Sequence, residues 1–163
     1  MRRFFSNGLA VFAGVVSLPV NGTHAASTKP ATAEHRNEPA KDRRLAFLRD
    51  FFAQGHCPAA KLSTVFLEAA DLNGLDWRLL PSLSFVETSG GKAAPNNNLF
   101  GWDSGRAAFS SAAACIHSVA SSLRNSALYR HKDIDGMLKT YNGSAGYGRR
   151  VKDVMRRIAP VVD

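Results

Sequence analysis

The chain has 163 residues, 45% of them hydrophobic, which suits one globular domain of ordinary size once any targeting segment is set aside. Its formal net charge of +8 admits three kinds of anionic partner: nucleic acid, a membrane surface and an acidic wall polymer. After the amino terminus no segment approaches the ~20 apolar residues of a membrane-spanning helix, which excludes a chain built around such helices.

The amino terminus reads as an export signal over residues 1–25. Arg2 and Arg3 form a basic head, Leu9 to Val20 an apolar stretch broken by Gly14, and Thr23-His24-Ala25 a site of small residues suited to cleavage. Residues 26–40 are mostly Ala, Thr, Ser, Pro, Glu and Asn with almost no large apolar side chain, so they cannot offset their ordering entropy and are expected to be a disordered linker. The folded domain is then expected over 41–163. Export to a bacterial periplasm or medium makes the acidic wall polymer the most natural of the three partners, with no role for nucleic acid and only a weak contact with anionic surfaces. An oxidising compartment would also let Cys57 and Cys115 pair, a bond worth roughly 4 kcal/mol in the chain-entropy picture. The alternative is two buried free thiols acting as small hydrophobes.

Within the domain the punctuation is helical. Asp42 can cap a segment with Leu45, Leu48, Phe51 and Phe52 on one face, ending at Gly55. Pro58 opens a second segment whose stripe is Leu62, Val65, Phe66 and Ala69, stopped at Asn73-Gly74. Asp76 can cap a third, in which Pro81 predicts a kink or a late start. Ser110 or Ser111 can open a long helix with Ile116, Val119 and Leu123 inward, Asp133 a short one with Met137 and Leu138, and Tyr147 begins a last helix with Val151, Val154, Met155 and Ile158. Alternating apolar and polar runs are nearly absent, so the fold is expected to be mainly α, with at most a small β-hairpin near Phe100 to Phe109.

Glu87 is the residue with the clearest chemical potential. The apolar segment Leu79 to Val86 delivers its carboxylate to a Gly90-Gly91 break, followed by the amide-rich loop Asn96-Asn97-Asn98-Leu99-Phe100-Gly101-Trp102. A carboxyl that follows Phe85 and Val86 at the end of an apolar segment is suited to act as a general acid toward a glycosidic oxygen. Taken together, Glu87-Thr88-Ser89-Gly90-Gly91, Asn97 to Trp102, Phe109-Ser110-Ser111 and the late Tyr141-Asn142…Tyr147…Val151…Met155…Ile158 resemble the lysozyme-like superfamily. The nearest likeness is to bacterial glucosaminidases and lytic transglycosylases that cut peptidoglycan, and it covers about Leu62 to Ile158.

That resemblance implies Glu87 as general acid, with Thr88 where the family more often has serine. It implies Asn97, Phe100 and Trp102 along the sugar cleft, Tyr141 close to the catalytic carboxyl, and Asn142 beside it as a substrate contact. Each residue also has a plainer reading. Glu87 can be an exposed helix-end residue, Phe100 and Trp102 can be core, and Asp103, the one local candidate for a second carboxylate, can be a solvated turn residue. No metal or organic cofactor is expected, since the histidines and cysteines show no ligand spacing and His117 reads as a partly buried core residue. The basic cluster Arg149, Arg150, Lys152, Arg156 and Arg157 reads first as a solvated helix face. The expectation is thus a monomeric, exported glycosidase acting on N-acetylglucosamine-containing peptidoglycan. A catalytically inactive peptidoglycan-binding module of the same fold is the alternative, and a cationic membrane-active protein a third class.

Overall fold

The computed structural model describes residues 38–160. The expected export signal at 1–25, residues 26–37 of the expected linker, His35 among them, and residues 161–163 lie outside the described residues.

Helix α1 spans Glu38–Gln54, so it takes in the end of the expected linker and runs through Asp42, which is therefore not its cap. Pro39 stands in the first turn, where no backbone N–H is needed, and Ala40, Lys41, Arg43 and Arg44 favour the helical state. Leu48, Phe51 and Phe52 are buried, as the spacing predicts. Cys57 leads into a 3-10 helix, Pro58–Leu62, and then α2, Ser63–Asn73, buries Phe66, Leu67, Ala69 and Ala70. Gly74 ends it in the left-handed region at φ +58°, donating its N–H to the carbonyls of Ala70 and Asp71.

Helix α3, Leu79–Thr88, starts late rather than kinking. Asp76 organises the turn ahead of it by accepting the Arg78 N–H at 2.9 Å, while its backbone carbonyl accepts the Leu79 N–H. Pro81 consequently falls in the first turn, where its missing donor costs nothing. Three helices complete the chain. Ser111 Oγ accepts the Ala114 N–H to cap α4, Ala112–Asn125, and Asp133 accepts the Gly136 N–H to cap α5, Ile134–Tyr141. The last, α6, is Tyr147–Ile158 and buries Val151, Val154, Met155 and Ile158 along with Tyr147 itself.

Packing sets α2 against α4 and α3 against α6, with α1 across the 3-10 helix and α2. Three phenylalanines run through the centre: Phe52 stacks on Phe66 at 5.6 Å, and Phe66 meets the edge of Phe100 at 6.4 Å. Each fully buried ring is worth about 1.5–3 kcal/mol of transfer free energy. The protein is mainly helical, and the described residues contain no β-strand. Where a hairpin was possible, Phe100 to Phe109, the chain instead makes tight turns with Gly101, Asp103, Ser104 and Gly105 all at positive φ, a conformation incompatible with extended pairing. No helix among the described residues is long and apolar enough to cross a membrane.

The expected disulfide is not formed, because both cysteines are free and each is buried among different neighbours. Cys57 packs so closely on the turn at Gly90 that a Cβ there would lie 2.7 Å from its own Cβ. Cys115 is fully buried in α4 and hydrogen-bonded to the backbone of Leu99 and Phe100. Burial pushes the Cys115 thiol up to about 11, those backbone bonds offsetting only part of it. His117, expected to be partly buried, is exposed on α4.

Candidate active site

Glu87 sits in the last turn of α3, half-buried, with Phe85 and Val86 packed on the core beside it. The helix stops immediately afterwards because Ser89 turns left-handed at φ 53° and returns its N–H to Phe85, while Gly90 closes on Ser84 at 3.1 Å. Thr88 ties this stop to the following loop. Its hydroxyl lies 3.0 Å from the Ser84 carbonyl and 2.8 Å from that of Leu99, and it accepts the Gly91 N–H at 3.1 Å.

The two carboxylate oxygens of Glu87 have different surroundings. Oε1 accepts a hydrogen bond from the Tyr147 hydroxyl at 2.6 Å. Oε2 faces the backbone of Gly101, where a Cβ would come within 3.2 Å of it. Gly101 is at φ +59°, so both its conformation and its missing side chain keep that approach open. The Tyr147 hydroxyl is held far above the ordinary tyrosine range, first by burial and then by its hydrogen bond to Glu87, and so remains a donor at any physiological pH.

This corrects one sequence expectation. The tyrosine on the glutamate is Tyr147, the first residue of α6, because α6 packs along α3 and brings its amino-terminal end to the carboxyl end of α3. Tyr141 stands one ring away, stacked on Tyr147 at 6.0 Å and 8°, and donates instead to the Phe100 carbonyl at 2.5 Å. Burial, followed by the nearby Glu87 charge, raises its hydroxyl as well. The signal for Tyr147 was present in the sequence, as the opening residue of the last helix, but its apolar periodicity masked a polar role.

The loop residues divide in the same way. Phe100 is fully buried against Phe66 and belongs to the core, so its ring is not a cleft wall. Trp102 is half-buried, with its ring 5.7 Å from Tyr141 and 6.1 Å from Tyr129. Tyr129, Trp102, Tyr141 and Tyr147 thus form a continuous aromatic run ending at Glu87. Asn97 is exposed and spends its amide on the Phe109 carbonyl at 2.9 Å. Asn142 follows α5, its Oδ1 accepting the Ser144 N–H at 3.0 Å.

Asn98, which the sequence did not single out, is the buried member of the amide run. It accepts the Trp102 N–H at 2.8 Å and donates to the carbonyls of Trp102 at 3.0 Å and Ala107 at 3.2 Å. Three adjacent asparagines give no periodicity by which one could be picked out. Asp103 is exposed and paired with Arg106 at 2.8 Å, whose hydrogen bond and charge hold the carboxyl below its ordinary value. It fits the solvated-turn reading. Among the described residues no cluster of His, Cys, Asp and Glu could hold a metal ion. A separate groove lined by Leu75, Leu79, Tyr129, Lys132 and Met137 shares Tyr129 with the aromatic run but does not include Glu87.

No family model, curated protein or solved structure matches this chain.

Proposed function

We propose that the protein is an exported glycosidase that cleaves the amino-sugar backbone of peptidoglycan, with Glu87 as general acid. The observation that supports this reading best is the asymmetry of the Glu87 carboxyl, one oxygen bound by Tyr147 and the other facing Gly101. A proton on Oε2 passes to the glycosidic oxygen as the bond to the anomeric carbon breaks. The carboxylate left behind keeps the Tyr147 hydrogen bond, which is stronger to the charged form and so favours proton release in the transition state. Half-burial, with Phe85 and Val86 alongside, keeps bulk water from competing for that proton.

The exposure of Asp103 and its pairing with Arg106 favour a route with one protein carboxylate, in which the substrate's acetamido or hydroxyl group completes the displacement. Trp102 and Tyr141 would offer apolar ring surface to the sugar, and Asn97 and Asn142 would be amide contacts at its edge. The experiment is incubation of the purified protein with peptidoglycan and mass analysis of the products. Anhydro sugars are expected, reducing ends would indicate water as the acceptor, and Glu87→Gln should lower the rate at least about a hundredfold. Retained binding without any product would leave the inactive binding module as the correct reading.

A further inference from the structure

We infer that Arg150 selects an anionic glycan at this site by pairing with a carboxylate borne on a sugar next to the cleaved bond. This rests on the sugar-cleft reading above and names the substrate feature that reading leaves open. Arg150 lies in the first turn of α6, and three residues along a helix return to the same face. Its guanidinium accordingly sits over the Tyr147 ring, Cζ 5.7 Å from the centroid. The hydroxyl end of that ring is the end bonded to Glu87. A single tyrosine therefore carries the catalytic carboxyl at one end and an exposed cation on its face.

Of the other cations of α6, Arg149 is exposed and, like Arg150, makes no ion pair among the described residues, but no ring lies under it; the remaining three are engaged. Lys152 pairs with Asp135 at 2.6 Å, Arg156 pairs with Asp153, and Arg157 lies over Phe51 and Phe85 at 5.5 and 5.4 Å. Arg150 is exposed and forms no ion pair among the described residues. The aromatic face orients its guanidinium without neutralising it, leaving the planar N–H edge for a carboxylate. Alternate sugars of peptidoglycan carry a lactyl ether whose carboxylate is free where the stem peptide has been removed, whereas oligomers of N-acetylglucosamine alone carry no such group. Recognition at Arg150 would thus separate peptide-free wall glycan from neutral amino-sugar polymers.

The test compares two tetrasaccharides, one of N-acetylglucosamine and one alternating it with the lactyl-bearing sugar, by calorimetry on Glu87→Gln protein at low salt. The anionic ligand should bind about tenfold more tightly. Adding Arg150→Met, which keeps the apolar stem on the ring, should erase the preference. Adding Arg149→Met removes the same charge from the exposed neighbour and should preserve it. Equal affinities in the parent, a preference that survives Arg150→Met, or failure of both sugars to bind would overturn the inference. A preference that behaves as expected, together with no product from wild-type protein on either sugar, would overturn the catalytic reading and leave Arg150 in place.

Discussion

Glu87 and its two flanks are held by different forces. On one side, α3 and α6 pack together, with Leu80 and Leu83 buried on the first and Val151 and Met155 on the second, and the Tyr147–Glu87 hydrogen bond links the two helices. On the other, residues 95–109 have no regular structure beyond one 3-10 turn, Pro95–Asn97, and are held by Thr88, Asn98 and the adjacent core anchors Leu99 and Phe100. The first flank distributes its stability over many small contacts, none decisive. The second concentrates it in a few polar bonds, so it should be far more sensitive to one substitution. The site is built where a tolerant wall meets an intolerant one.

The largest effect expected from that contrast is at Asn98. Asn98→Ala removes three hydrogen bonds and leaves the Trp102 N–H and two carbonyls without their partners in a buried setting. At about 1 kcal/mol or more for each, the loss should be about 3 kcal/mol, or on the order of a 10 °C fall in Tm by calorimetry. Val154→Ala in α6, a smaller truncation of an almost buried residue, should cost about half as much. Equal costs would break the comparison.

A second effect separates the two tyrosines. Tyr147→Phe removes the donor to Glu87 and should lower kcat on peptidoglycan by about tenfold to a hundredfold, the worth of a hydrogen bond to a charged group. Tyr141→Phe removes a bond to the Phe100 carbonyl, which belongs to the loop, and should act mainly on stability, lowering it by about 1 kcal/mol. If Tyr141→Phe proved the more damaging to turnover with Tm intact, the roles would have to be exchanged.

The same contrast explains what could be read from the sequence. Helical elements follow from periodicity and punctuation that survive in one dimension: Ser111 and Asp133 cap the helices they precede, and Val151, Val154, Met155 and Ile158 are buried as their spacing predicts. Glu87 was visible because an apolar helix ends on it. The loop was not legible, because its conformation depends on which of three asparagines is buried and on left-handed backbone at Asn96, Asn97, Asp103 and Ser104, where the residue type permits but does not require that state. Tyr147 was passed over for Tyr141 because the choice depends on the relative placement of α5 and α6 against α3. The disulfide failed for a related reason. Compartment can favour a bond, but only geometry brings two sulfurs together.

The smallest effect offers the sharpest reading of the difference between the flanks, since it follows opening rather than unfolding. Both cysteines are free, so thiol counting in denaturant should find two; a count of none would restore the disulfide. In the native state Cys115 lies fully buried beneath Leu99 and Phe100, and only its thiolate reacts with an alkylating reagent. Because burial holds that thiol up near 11, its labelling at pH 8 should require the loop to lift first, exposing the sulfur and letting its pKa fall toward the ordinary value. Asn98→Ala should then speed labelling of Cys115 by about tenfold or more at temperatures well below Tm. Cys57, packed instead on the Gly90 turn and the Gly55 carbonyl, should change little. Mass spectrometry of peptides after timed alkylation distinguishes the two sites. Parallel acceleration of both cysteines would mean that the loop opens only when the helical seam does, and the two walls of the site would then be one cooperative unit.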